Sequence, residues 1–207
     1  MFSIKKIITI SDYFTAINIL LGFCGIIFCD FRFIYLGIVF DGLDGYIARK
    51  TNTVSDFGAQ LDSICDVVTF GVAPAYLLHF FIGDIFSLIG GSLFLIFGGF
   101  RLARFNILNT KNFIGLPIPA GALILCITVD FIIKYNIVNY FNILISLLAV
   151  IYGLLMISDI EYPKFKNKFL MALFFIGVIL SLFGFFELLG MISIIYVLYG
   201  IINYLKK

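Results

Sequence analysis

Long apolar stretches separated by short polar breaks divide the chain into eight runs, at about 12–29, 33–49, 59–81, 85–106, 118–134, 138–156, 169–185 and 188–205. A helix rises 1.5 Å per residue, so crossing a hydrocarbon core takes about 20 residues. Each run is long enough, some barely. The last two are separated only by a short turn near Glu187, and the run at 85–106 has the least distinct ends. The pattern predicts an all-α integral membrane protein of about eight transmembrane helices. Residues 1–9, with Lys5 and Lys6 toward headgroups, are read as a short interfacial helix.

Composition agrees with the pattern. Of 207 residues, 62% are hydrophobic and 13% charged, with a mean hydropathy of +1.14. That balance excludes an ordinary soluble domain. The net charge of +2 gives no reason to expect nucleic acid as a partner. Cys24, Cys29, Cys65 and Cys126 lie in apolar runs without disulfide-framework or zinc spacing, and read as small core residues. No small-residue cleavage site follows Lys5 and Lys6, so the first span is kept in the mature protein.

Basic residues set the orientation. With the N-terminus in the cytoplasm, twelve of the fourteen Lys and Arg fall on the cytoplasmic side, and only Arg32 and Lys134 lie outside. An odd span count would put Lys206 and Lys207 outside. Eight spans with both termini cytoplasmic is therefore preferred, with six as the alternative if two runs are re-entrant.

Against this apolar background, residues 41–66 carry four carboxylates, Asp41, Asp44, Asp62 and Asp66. The first two are three apart and the last two four apart, so each pair shares a helix face. The polar break Lys50-Thr51-Asn52-Thr53 between them makes a tight turn that would aim all four at one volume. That many like charges need cations or protons among them. Oxygen ligands without clustered Cys or His favour Mg²⁺, Mn²⁺ or Ca²⁺ over zinc. Asp41 lies about 12 Å below Arg49 along its helix, which places the cluster inside the cytoplasmic leaflet. Ionisable groups there are costly, and their usual role is functional.

Written out, the stretch is Asp41-x-x-Asp44-Gly45-x-x-Ala48-Arg49, eight residues, then Gly58-x-x-x-Asp62-x-x-x-Asp66. It resembles the signature of the CDP-alcohol phosphotransferase family at every fixed position. Two further stretches, Gly98 to Asn106 and the following Phe113 to Ala120, resemble the family's phosphatidylserine synthase branch, as do Ser55 to Ser63 and, in the first helix, Thr15, Asn18 and Gly22. The resemblance covers about residues 11–121. Within a single membrane domain of residues 1–207, residues 122–207 read as hydrophobic scaffold.

The resemblance implies a reaction. The phosphatidyl group of CDP-diacylglycerol, or of an ether-lipid analogue, passes to the hydroxyl of L-serine with release of CMP, in a cell-membrane enzyme whose active site faces the cytoplasm. It implies metal ligation by Asp41, Asp44, Asp62 and Asp66, catalytic work by Asp62 and Asp66 with Asp66 as general base, and a homodimer in membrane lipid. CDP-lipid binding falls to Thr15, Asn18, Gly45, Ala48, Arg49 and Gly58. Small residues beside the carboxylates let a nucleotide lie flat, and Arg49 can meet a phosphate. Arg101 and Arg104, three apart, with Lys111 nearby, are expected to form a basic pocket for the serine carboxylate or a donor phosphate. An acceptor such as glycerol 3-phosphate or inositol phosphate is the nearest alternative. A divalent-cation transporter is the alternative from another class, disfavoured because the outer halves of the helices lack a polar continuation.

Other polar residues are given ordinary roles. His79 is interfacial, Asp56 caps the third helix, and Asp130 pairs with Lys134 near the outer face. Asp84 and Glu187 are outer-loop charges. Asp159 and Glu161, with Lys164, Lys166 and Lys168, form a solvated cytoplasmic loop. Gly90, Gly91, Gly98 and Gly99 mark close helix packing.

Overall fold

In a computed structural model of the protein, which describes residues 7–107, 113–163 and 168–206, every apolar run forms a helix. The helices are α1 (Ile10–Phe28), α2 (Arg32–Thr51), α3 (Asp56–Asp66), α4 (Ala73–Ile82), α5 (Ile85–Ile107), α6 (Ile118–Lys134), α7 (Val138–Ile157), α8 (Lys168–Leu182) and α9 (Glu187–Leu205). A π-helical segment, Val67–Val72, joins α3 to α4, so Asp56–Ile82 is one continuous rod of 27 residues. Ile7–Thr9 lie in a turn and irregular backbone rather than a helix, and residues 1–6 of the expected interfacial segment lie outside the described residues.

Among the described residues, four rods are by themselves long and apolar enough to cross a membrane: Ile10–Phe28, Asp56–Ile82, Ile85–Ile107 and Glu187–Leu205. Of the rest, α6 and α8 are shorter, α2 is interrupted by charge, and α7 offers the apolar stretch Phe141–Ile157. Arg32, Asp41, Asp44, Arg49 and Lys50 all lie on α2.

Helix ends follow local chemistry. Thr9 and Asp12 make a reciprocal capping box at the start of α1. Asn52 closes α2 in the left-handed conformation (φ 54°), which Asn tolerates. Three residues later the side chain of Ser55, not of Asp56 as expected, accepts the Gly58 N–H at 3.0 Å and caps α3. A serine at the cap position already supplies the oxygen, which leaves Asp56 in the first turn facing the helix dipole. These two caps set the tight turn between α2 and α3.

The centre of the bundle is α6, with ten buried residues from Ile118 to Ile132. Phe94, Leu77, Ile34 and Tyr35, fully buried, belong to the same core as its Leu125. Three of the predicted glycine contacts are close: a Cβ on Gly90 would meet the Ser146 backbone, one on Gly91 the Ala75 carbonyl at 3.0 Å, and one on Gly98 the Ile118 Cδ1 at 2.8 Å. Gly99 faces open space instead. Large apolar side chains on the outer faces of α1, α5, α7, α8 and α9 remain exposed, as suits lipid.

Two features were not expected. A short antiparallel ribbon pairs β1 (Phe113–Ile114) with β2 (Glu161–Tyr162), and Gly115 continues it through its N–H to the Ile160 carbonyl at 2.8 Å. Gly115 has φ 78°, a conformation open to glycine at no steric cost. Two residues per strand leave no periodicity to read. At the other end of the bundle, Asp130 and Lys134 do not pair. Asp130 accepts the Tyr35 hydroxyl at 3.2 Å, and Lys134 bonds Glu187 at 2.6 Å and the Gly184 carbonyl at 3.0 Å. An i,i+4 pair contributes only a few tenths of a kcal/mol, so tertiary partners on α2 and α9 prevail. His79 bonds Ser87, and Asp84 caps α5 through the Ser87 N–H.

Candidate active site and metal centre

The turn between α2 and α3 does bring the carboxylates together. Oxygens of Asp41, Asp62 and Asp66 all lie within 4.8 Å of one another. Asp44 sits to the α1 side of this trio, where it accepts the Thr15 hydroxyl at 2.7 Å and remains in electrostatic range of Asp62. Asp66 accepts from the Asn18 amide at 3.3 Å. Asp44 and Asp66 are each only 5% exposed.

Thr15 and Asn18, expected on the substrate, are thus turned onto the carboxylates. Helix α1 is the wall that orients the acids. Asp12, which the sequence did not single out, ties α1 to α3: it is buried, and a Cβ on Gly58 would lie 3.0 Å from its Oδ1. Gly58 is small because Asp12 is there, in addition to any ligand.

The face above Asp41 and Asp44 is open. A Cβ on Gly42 would meet nothing within 4 Å, and one on Gly45 would meet only the Arg49 guanidinium, from 3.3 Å. Ala48 is half-buried and Arg49 exposed on the same helix. Below that face a cavity of about 290 Å³ begins at Asp41 and Gly42 and runs between Leu123 of α6, Phe174 of α8 and Ile192 of α9. Helices read as scaffold thus border this cavity. That was not legible because their apolar residues carry no pattern distinguishing a cavity wall from a lipid-facing surface.

The two arginines of α5 diverge. Arg101 is 5% exposed, lies 5.1 Å from the Phe105 ring centroid and 5.8 Å from that of Phe113, and interacts with Asp66 and Asp41. Its Nε has no hydrogen-bond partner among the described residues. Arg104 points elsewhere: its guanidinium donates to the carbonyls of Ile114, Met156, Ile157 and Ser158 at 2.9–3.0 Å. Both of its terminal nitrogens are bound to backbone. Lys111 lies outside the described residues.

Charge decides what the site can hold. Arg101 offsets Asp41 and Asp66, and Arg49 reaches Asp44. Two guanidiniums against four carboxylates leave excess negative charge. In addition Asp62 Oδ1 is buried with no hydrogen-bond partner among the described residues, which is costly unless a cation or donor meets it. A hard divalent ion held by Asp41, Asp62 and Asp66, with Asp44 beside them, fits both observations.

Thr15 then has a testable role. Thr15→Val keeps the shape and strips the donor from Asp44. Outer-sphere partners of this kind are worth about 10–100-fold in metal affinity. We expect Mn²⁺ affinity, titrated by electron paramagnetic resonance, to weaken about ten-fold in Thr15→Val and to stay within about two-fold in Thr15→Ser. Equal affinity in folded Thr15→Val protein would remove the hydroxyl from the account.

Comparison with known proteins adds independent information. A model of the CDP-alcohol phosphatidyltransferase family matches residues 6–201. The CDP-diacylglycerol–serine O-phosphatidyltransferase of Methanocaldococcus jannaschii is 53% identical over 206 residues, covering 100% of this chain and 99% of that protein. The Helicobacter pylori protein of the same name is 40% identical, covering 94% of this chain and 90% of its own length. The archaetidylserine synthase of Methanothermobacter thermautotrophicus is 36% identical over 155 residues, covering 72% of this chain and 64% of its own length.

Proposed function

The chain belongs to the CDP-alcohol phosphatidyltransferase family, and from that premise we propose that it transfers the phosphatidyl group of CDP-diacylglycerol, or of an ether-lipid analogue, to L-serine. The reaction forms a bond between the serine oxygen and the lipid-bearing phosphorus. It breaks the diphosphate linkage, and CMP leaves. The observation that carries the chemistry is the gathering of Asp41, Asp62 and Asp66 oxygens within 4.8 Å beside an open, glycine-lined face. Relatives named for serine transfer that match nearly the whole chain support the acceptor.

Each residue has a part in this reading. Asp41, Asp44, Asp62 and Asp66 would hold Mg²⁺ or Mn²⁺, with Ca²⁺ able to occupy the same oxygen set. A bound ion supplies positive charge to the diphosphate and to departing CMP. Gly45, Ala48 and Gly58 leave room for the nucleotide, and Arg49 reaches toward its phosphates. Thr15 and Asn18 act from behind, by orienting Asp44 and Asp66. Asp66 takes the proton of the serine hydroxyl as the oxygen attacks. Arg101, buried between two aromatic rings with a free Nε–H, offers the serine carboxylate a charge-assisted partner. The apolar cavity that starts at Asp41 suits a lipid chain.

The membrane setting completes the proposal. All eight helical rods cross the bilayer, both termini and the carboxylate cluster lie on the cytoplasmic side of the cell membrane, and a second copy is the partner. The basic residues flanking the α2–α3 turn, Arg49 and Lys50, support that side.

An acceptor panel tests the reaction. Protein in detergent with CDP-diacylglycerol and Mn²⁺ should release CMP with serine, and neither with glycerol 3-phosphate nor with inositol phosphate. Chelation of the metal should bring release to background. Release driven by another acceptor would reassign the substrate, and full release in chelator would remove the metal.

A further inference from the structure

Directly after Asp66 the helix is π rather than α. The Ala73 N–H bonds back to Val68, five residues earlier, so the rod accommodates one extra residue at this level. Thr69 lies within this segment. It is fully buried between α1 and α2. A Cβ on Gly22 would lie 2.6 Å from its Cα, and one on Gly37 would lie 2.7 Å from its Cγ2. Two glycines, one on each neighbouring helix, thus clear the space it fills.

The Thr69 hydroxyl donates to the Asn18 carbonyl at 2.8 Å. A mid-helix carbonyl normally serves its own helix, so this bond from another rod is an added constraint on α1 at that turn. The amide of the same Asn18 donates to Asp66. Asn18 is fully buried, and its Oδ1 has no partner among the described residues. The side chain is therefore anchored to the acid at one atom only, and its aim depends on where its backbone is held.

We infer that Thr69 is a positioning residue for the transfer: its hydroxyl fixes the Asn18 backbone, and Asn18 holds Asp66 in its working orientation. The π segment is what turns residue 69 toward α1. This rests on the catalytic reading of Asp66, and its test separates the two.

The comparison uses the full chain in detergent with CDP-diacylglycerol, serine and Mn²⁺. Thr69→Val keeps the shape and removes the hydroxyl. It should lower kcat about ten-fold, leave both KM values within about two-fold, and weaken Mn²⁺ binding about three-fold by electron paramagnetic resonance. Thr69→Ser, which keeps the hydroxyl, should stay within about two-fold of the unmodified protein. Because both act through Asn18, Thr69→Val should add less than about two-fold to Asn18→Ala. An unchanged kcat in Thr69→Val, equal losses in Val and Ser, or multiplying losses with Asn18→Ala would each overturn the inference. If the unmodified protein releases no CMP with serine, the functional reading fails instead, and the Mn²⁺ series still decides the role of Thr69.

Discussion

Asp66→Asn should abolish turnover while leaving CDP-lipid bound. The substitution keeps the size, the burial and one carbonyl oxygen, and removes the ability to take a proton. A serine hydroxyl is a poor nucleophile at neutral pH, so under the proposed role of Asp66 losing its base costs about 10²–10⁴-fold. We expect CMP release to fall by about 10³-fold or more, and CDP-diacylglycerol affinity, by equilibrium dialysis, by less than about ten-fold. The location of Asp66 supports that separation. It is 5% exposed and held by Asn18 on the α1 side, whereas Asp41 opens onto the glycine face and the apolar cavity. Loss of donor binding in parallel with turnover would make metal ligation, not proton transfer, its principal work.

Arg104→Ala should cost the fold more than any substitution in the carboxylate cluster. Four carbonyls, those of Ile114, Met156, Ile157 and Ser158, lose a charged donor at once. A carbonyl left without a partner costs about 1–3 kcal/mol where water cannot replace the donor. Some of these groups can find water at the bundle end, so roughly 3–5 kcal/mol is expected in total. That corresponds to a Tm lower by about 10 °C for a chain of this size. The ion pair with Asp159 at 3.7 Å contributes little, because Asp159 is 89% exposed. Arg104→Lys should recover only part of the loss, since one ammonium cannot fork to both the β1 and α7 segments. A thermal scan of detergent-solubilised protein checks both. A Tm within about 2 °C of the unmodified protein in Arg104→Ala would show that the carbonyls are satisfied without it.

These two residues show what can be read from a chain like this one. The carboxylate spacing, three apart on one helix and four apart on the next, dictated that each pair share a face. The polar break between them dictated a turn, and the structure brings three of the four acids into one volume. The eight apolar runs each became a helix, because burying a run of this length leaves the backbone no other way to satisfy its hydrogen bonds. Spacing could not tell Arg101 from Arg104. They are three apart on one helix face, yet one is stacked between aromatic rings near the acids and the other is bound to backbone. The difference comes from the corner formed by β1, β2 and the end of α7, which no local pattern announces.

The sequence by itself determined an all-helical chain, a paired-acid motif at one end of it and the hard-cation chemistry those acids invite, because helical period and charge in an apolar medium are local constraints. Only the tertiary structure decided which neighbours complete the site. Thr15 on Asp44, Asn18 on Asp66, Thr69 on Asn18 and the apolar walls from α6, α8 and α9 are contacts between segments far apart in the chain. Their geometry is set by which helix faces pack together, and small-residue clearance at positions such as Gly22 and Gly37 acquires its meaning only once the facing helix is known.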